Sequence, residues 1–353
     1  MKAQNKITIK DMAKALDVST ATISNAFNRP DQLSESLRKK ILEGCSRLGY
    51  EGPYSTARSL RTGVSGVVGI LLSDDLRYSI SDPVASQFLA GLGEVLDQRH
   101  CNMLLLSSDE GRSSLKSRQM ESIVDGYIVY GGTHSSSLLE RLASQRKPVV
   151  AVDVKTDKFP TVNVDNCEAA YLSAMLALKH EPKRVAIIAL KLTHPSMVER
   201  ISVEEGYQGI PSVTYSRWEG YFKALEECGY IDDQVDTFDI PLNLHRHACA
   251  AAFMLLEQAD PPEVIFCMSD RIALGVLQVA LQKGIDVPSD LKIVGFDGIA
   301  ESQFTFPTLT TVHQFNELKG RKAGEIFLGI SPWKDVVLPT EILVGDSCPA
   351  MER

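Results

Sequence analysis

The sequence predicts a small all-α head, a helix-turn-helix with a short linker helix, joined to a large α/β body of two stacked parallel-sheet subdomains. Three observations lead there. Near the N-terminus, two amphipathic segments flank a three-residue turn, Asp17-Val18-Ser19. Charge is divided unevenly: residues 1–62 hold 11 Lys and Arg against 6 Asp and Glu, and the remainder holds 26 against 39. From about Ser65 onward, short apolar runs alternate with amphipathic ones.

The head follows from local rules. Thr8 suits an N-cap, because its hydroxyl can accept a bond from a free N–H of the first turn. Met12, Ala13, Ala15 and Leu16 then recur at helical spacing. Ser19 can cap a second helix whose Ile23, Ala26 and Phe27 turn inward. That leaves Thr20, Ala21, Thr22, Ser24 and Asn25 outward, small or polar as a face entering the major groove requires. A third helix is expected from Ser34 to Leu48, with Leu37, Ile41, Leu42, Cys45 and Leu48 inward. The pattern alone fits a protein-binding three-helix module as well as a DNA reader. A basic head on an acidic body favours the reader, because only the head would meet phosphate.

The body reads as strands at Val67–Leu72, Met103–Leu106, Gly126–Tyr130, Val149–Val152, Val185–Ala189, Val264–Met268 and Leu291–Gly295. Helices are expected at Pro83–Arg99, Ser136–Gln145, Cys167–His180, Arg217–Cys228, His247–Gln258 and Arg271–Lys283. Such alternation means parallel sheets covered on both faces. The length is too great for one sheet, hence two subdomains.

The run from Thr8 to Arg61 resembles the DNA-binding head of the lactose-repressor (LacI/GalR) family of bacterial regulators. The matching residues are Ile9-Lys-Asp-Met-Ala13, Val18-Ser19, Ala21-Thr22-Ile23-Ser24, Phe27-Asn28, Leu48-Gly49-Tyr50, Pro53 and Ala57-Arg58-Ser59-Leu60-Arg61. The body resembles the family's effector domain, of periplasmic-binding-protein-like fold, at Arg217-x-x-Gly220-Tyr221, Ser269-Asp270-x-x-Ala-Leu-Gly275, Val294-Gly295-Phe296-Asp297 and Pro307-x-Leu-Thr-Thr-Val312 with Gln314.

The resemblance implies a division into a DNA-binding domain (1–52), a hinge helix and linker (53–63) and an effector-binding and dimerisation domain (64–353). The last splits into a subdomain of about 64–165 plus 298–326 and another of about 166–297 plus 327–353, with three crossings and a cleft between. It implies DNA contacts from Thr8, Thr20, Ala21, Thr22, Asn25 and Asn28. Asn25 stands where many members carry Arg; Asn can pair bidentately with adenine, and the Ala21 methyl can touch a thymine methyl. In the hinge, Leu60 matches the residue that wedges into the central base step, with Arg58 and Arg61 as phosphate or minor-groove contacts. Tyr54–Arg61 is too short to be a stable helix alone and is expected to order on DNA.

Ligands of such folds bind beyond the carboxyl ends of the strands. Asp153, Arg217, Ser269 and Asp297 match family positions that contact effector, and Asp82 is a further candidate. Competing roles are local: Asp82 before Pro83 makes a good N-cap pair, Asp270 is expected to cap the helix it opens, and Asp297-Gly298 can form a turn. No aromatic residue in Ile240–His245 can be assigned to stack on a sugar ring. The long Leu190–Tyr215 segment, with Tyr207 and Tyr215, is expected to shape the pocket or its rim. A sugar, nucleoside or related polar metabolite is the expected effector.

Two other classes fare worse. An enzyme lacks support, with no phosphate loop, Gly-x-Ser-x-Gly or His-Glu-x-x-His; Gly91-Leu-Gly93 falls inside a helix, and His245 and His247 read as surface residues. A solute-binding protein would need an export signal, and Met1–Lys10 has no apolar core. No run approaches the ~18 apolar residues of a membrane span. The seven cysteines are odd in number and lack Cys-x-x-Cys spacing. They suit reduced thiols in a cytoplasm, with no zinc site and no disulfide frame. No cofactor is expected. Without a Leu heptad after the last strand, the expected assembly is a homodimer on a palindromic operator.

Overall fold

The computed structural model describes residues 7–50, 64–107, 123–131, 136–208 and 212–351. The chain forms two compact units, residues 1–66 and 67–353. Arg58, Leu60 and Arg61 lie outside the described residues.

Among the described residues, the first unit has three α-helices: α1 (Ile9–Ala15), α2 (Thr20–Asn28) and α3 (Glu35–Arg47). Thr8 caps α1 in a reciprocal box with Asp11. Ser19 caps α2 through Thr22 N at 3.0 Å, and Ser34 caps α3. Met12, Ile23, Ala26, Ile41, Cys45 and Tyr50 form the core. Gly44 lets α3 approach Leu16 where a side chain would collide, and Arg38 Nε donates to Ala26 O, tying α3 to α2. Leu48, expected inward, is exposed because α3 ends at Arg47. Tyr50, returning after Gly49 in the left-handed region, fills the core edge-on to Phe27.

The second unit starts with β1 (Val67–Leu72), α4 (Leu76–Ser81), α5 (Pro83–Gln98), β2 (Asn102–Ser107), β3 (Gly126–Tyr130), α6 (Ser136–Ser144), β4 (Val149–Val152) and β5 (Thr161–Val164). It continues through α7 (Asn166–Leu178), β6 (Val185–Leu190), β7 (Glu199–Ile201), α8 (Val203–Tyr207), α9 (Val213–Glu227), β8 (Val235–Ile240), α10 (His245–Leu256), β9 (Val264–Cys267) and α11 (Asp270–Lys283). It closes with β10 (Lys292–Asp297), β11 (Thr310–His313), α12 (Asn316–Phe327), β12 (Val336–Leu338) and β13 (Glu341–Leu343).

These strands make two sheets, ordered β12-β5-β4-β3-β1-β2 and β13-β11-β10-β9-β6-β8-β7. The first is parallel throughout. The second is parallel except where β7 and β13 close its edges antiparallel. Central strands are buried along their length, so their sequences are continuous apolar runs, as sheets covered on both faces require.

The chain passes between the sheets three times: after Val164, after His313 and after Leu338. The last two crossings differ from the expected boundaries at 297/298 and 326/327. Thr310–His313 pairs with β10 and so belongs to the second sheet. Val336–Leu338 pairs with β5 and belongs to the first. Between them, α12 packs with the first sheet's core through Ala323 and Ile326. Its backbone meets that of α5 where Gly91 and Gly320 face the other helix; a Cβ at either would lie about 2 Å from a carbonyl oxygen. That contact accounts for Gly91 of Gly91-Leu-Gly93.

Candidate effector pocket and DNA-reading helix

Both sheets direct the carboxyl ends of their strands toward one cleft, where a cavity of about 150 Å³ lies. Every strand-end candidate except Asp270 lines it. From the first sheet come Asp82 at the start of α5, Tyr130 and Gly131 after β3, and Asp153 after β4. The second contributes Arg217 on α9, Asn243 after β8, Ser269 after β9, Asp297 ending β10 and Gln314 after β11. All five sequence-predicted effector residues (Asp82, Asp153, Arg217, Ser269 and Asp297) are thus brought together.

Arg217 organises the second wall. Its side chain is buried rather than in a surface ion pair. Nε donates to Asn166 Oδ1 at 2.9 Å, and one terminal nitrogen donates to Met268 O at 2.6 Å. The same nitrogen lies 3.5 Å from Asp297 Oδ1. The guanidinium plane rests 3.7 Å over the Phe296 ring. Burial pushes the Asp297 carboxyl well above its ordinary value, and Arg217 pulls against it.

Two acids in the pocket sit in the left-handed region without being glycine, Asp153 at φ +54° and Asp297 at φ +132°. Such backbone costs on the order of 1–3 kcal/mol per residue. It is held by side-chain bonds: Gln314 Nε2 donates to Asp297 Oδ1 at 2.8 Å, and Lys319 Nζ donates to Asp153 at 2.9 and 2.8 Å.

Two competing local roles are resolved differently. Asp82 does cap its helix, accepting from Ala85 N at 3.1 Å with Pro83 at the first position. Its other oxygen has no hydrogen-bond partner among the described residues, and burial raises its pKa. Asp270, expected as a cap, is not one. Ser269 caps α11 through Ile272 N at 3.1 Å. Asp270, one residue later, is fully buried beneath Gly295, accepting from Thr311 Oγ1 and from Ile299 N. It fastens the segment that follows β10.

Strand-end reasoning missed several pocket residues. Asp74 and Tyr78 sit on the short α4 and the turn before it, which carried no periodic signal. Tyr130, stacked on Phe88 with ring centroids 4.2 Å apart, ends a strand that was read correctly and was findable by the same rule. Asn243 follows the unread strand β8. Of the Leu190–Tyr215 segment, Leu190, Val213 and Thr214 line the cavity. Tyr207 instead packs edge-on to Trp218 and Phe222.

In the first unit, α2 presents Thr20 and Ala21 exposed, with Thr22 and Asn25 half-buried beside them. Thr8 and Thr22 also serve the caps, since Thr8 Oγ1 bonds Asp11 and Thr22 Oγ1 bonds Ser19. Asn28 is the last residue of α2.

A helix-turn-helix unit and a two-sheet body with a polar cleft together define a class: regulators with a periplasmic-binding-protein-like ligand domain. The family model of the periplasmic binding protein-like domain matches residues 183–348. The regulator IpsA of Corynebacterium glutamicum is 30% identical over 325 residues, covering 91% of this chain and 90% of that protein. The repressor CytR of Escherichia coli is 29% identical over 330 residues, covering 91% and 89%. A LacI-family regulator structure from C. glutamicum superposes with a TM-score of 0.71 at 26% identity, covering 98% of this chain and 100% of that one. The lac repressor dimer bound to operator shares the fold, with a TM-score of 0.76 at 18% identity over 98% and 100% of the two chains. The chain belongs to the LacI/GalR family and is a ligand-responsive, DNA-binding transcription regulator.

Proposed function

We propose that the protein is a non-enzymatic, cytoplasmic, homodimeric repressor that reads a palindromic operator and is controlled by a small ring-sized polar metabolite, sugar-like or nucleoside-like. The observation that carries the effector half is the cavity itself, in which Asp82, Asp153, Arg217, Ser269 and Asp297 converge. Carboxylates and a guanidinium in that arrangement hydrogen-bond hydroxyls. For the DNA half, Thr20, Ala21 and Asn25 would meet base edges. Thr8, Thr22 and Asn28 would meet the backbone around them, with Leu60 wedging the central step between Arg58 and Arg61.

A dimer is supported by an apolar groove lined by Leu274, Leu277, Leu281 and Phe306. Phe306 and its near neighbour in sequence Phe304 are 90% and 85% exposed, an area that a second copy would cover. Ligand binding would favour one arrangement of the two subdomains, and operator affinity would change by the ligand's differential affinity for the two states, commonly ~1–3 kcal/mol.

The test is selection of the full-length protein on random duplex DNA, followed by anisotropy titration of the enriched sites. A two-fold symmetric site is expected, with affinity falling steeply as salt rises. Leu60→Ala should weaken that site far more than random DNA. Enrichment of asymmetric or unrelated sequences would overturn the reading.

A further inference from the structure

Among the described residues, four carboxylates line the cavity, and each has a cation beside it. Asp74 meets Lys191 at 2.6 Å, Asp82 meets Arg271 at 3.9 Å, Asp297 meets Arg217 at 3.5 Å, and Asp153 meets Lys319 at 2.8 Å. The fourth pair is the unusual one. Lys319 is fully buried on α12, the helix that follows the second crossing. Its three ammonium donors are all used: two reach the Asp153 oxygens, and the third reaches Gln314 Oε1 at 2.6 Å. Gln314 in turn donates to Asp297. One lysine therefore neutralises the acid of the first wall and, through Gln314, orients the acid of the second.

We propose that Lys319 is a specificity-determining positioning residue that sets the effector's charge class, making the pocket a site for a neutral, hydroxyl-bearing ring. The inference rests on reading the cleft as the effector site. The physical argument is a balance of charge. An anionic ligand such as a phosphate ester would face four carboxylates, while the cations behind them are already committed. A cationic ligand would find each carboxylate already compensated. A neutral polyol needs only acceptors and donors, and paired carboxylates keep lone pairs free to accept hydroxyl protons. Removing Lys319 would leave Asp153 as an uncompensated anion at the cavity wall and release Gln314, so the site should then favour a ligand that brings its own positive charge.

The experiment measures thermal shift and calorimetric affinity of the full-length protein with D-ribose, D-glucose, D-galactose, adenosine and cytidine. Each is set against its phosphate ester, and D-glucose and D-galactose also against D-glucosamine and D-galactosamine. Wild type should respond to neutral members only. Lys319→Met should lose affinity for the neutral ring by about tenfold and gain preference for the amino sugar over its neutral parent. Lys319→Arg should restore the wild-type ranking. Where Lys319→Met folds poorly, the double variant Asp153→Asn, Lys319→Met carries the test: it should fold and show no preference for the amine. A purely structural lysine would weaken all ligands equally and leave the ranking unchanged, which would overturn the proposal. A phosphate ester as the strongest binder of wild type would overturn it as well, while keeping the cleft as the site. No response to any member would remove the reading of the cleft, and this inference with it.

Discussion

The two walls of the cleft are built differently. On the second-sheet side, the polar groups are bonded to one another: Arg217 is held by Asn166 and Met268, Ser269 by Asn243 at 2.7 Å, and Asp297 by Gln314. On the first-sheet side, Asp153 is held by Lys319, but Asp82 keeps one oxygen without a hydrogen bond among the described residues. The outer part of that wall joins its neighbour through two long cations, Lys191 to Asp74 and Arg271 to Ser81 O at 2.8 Å. The difference teaches which wall is the template. A wall whose polar groups are already satisfied keeps its geometry with the site empty. The other wall has an acceptor to offer and closes by contacts that can open.

That contrast is broken most sharply at Arg217. Arg217→Ala leaves Asp297 buried without its cation, a change of the kind that costs about 3–5 kcal/mol. Urea unfolding of the variant should show a loss of that size, together with loss of the thermal shift given by any bound ring. Arg217→Lys should recover only part of it, because an ammonium cannot reproduce the fork that spans Asn166 and Met268 O. A loss under about 1 kcal/mol would mean the second wall is not locked as described.

Asp270 sharpens the same point through pH. Burial raises its carboxyl from 3.8 to about 6, against the bonds from Thr311 and Ile299. A raised carboxyl favours the folded state while protonated, so its contribution is complete below pH 3.8 and is lost as pH rises through about 6. Asp270→Asn removes that dependence. The stability of the variant relative to wild type should therefore improve by roughly 2 kcal/mol between pH 4 and pH 7 and stay level above. A difference that is flat with pH would show that Asp270 does not titrate in this window.

Asp82 is the corresponding test of the first wall, and smaller. Asp82→Ala removes the cap on α5 and should cost about 1 kcal/mol, along with ring affinity. Asp82→Asn keeps a capping oxygen, so its stability should stay near wild type while ring affinity still falls. If Asn binds as well as Asp, the carboxylate acts only as a cap.

The same division marks what could be read from the chain. The three helices of the head were legible because Thr8, Ser19 and Ser34 declare their starts, and Ile23 with Ala26, and Ile41 with Cys45, repeat at helical spacing. The central strands were legible as unbroken apolar runs. Strand β8 was not, because Asp236, Thr237 and Asp239 interrupt it. They are buried all the same. Asp236 is paired with Arg184 and Arg200, and Asp239 accepts from Leu192 N and both donors of Thr193. No local pattern announces partners that lie so far along the chain. Asp82, Asp153, Arg217, Ser269 and Asp297 could be named from strand ends, helix starts and motif matches. Lys319 could not: it sits in Asn316-Glu-Leu-Lys-Gly-Arg-Lys322, which reads as a solvated face. Only the crossing after His313 carries it into the core.

The smallest effect tests the closing contacts. Lys191 and Asp74 are each about one-third exposed, at 30% and 33% of the side chain. A pair that open to water is worth about 0.2–1 kcal/mol and is screened by salt. Arg271 is more enclosed, at 19%, and donates to two carbonyl oxygens, Asn243 O and Ser81 O, so its hold is less sensitive to salt. Lys191→Ala should therefore speed ring dissociation only a few-fold, and the difference from wild type should vanish as salt is raised. Arg271→Met should produce a larger change that persists in high salt. Stopped-flow dissociation at two ionic strengths separates them. Equal, salt-independent effects would mean that the two contacts share the work and that the first wall is as firmly fixed as the second.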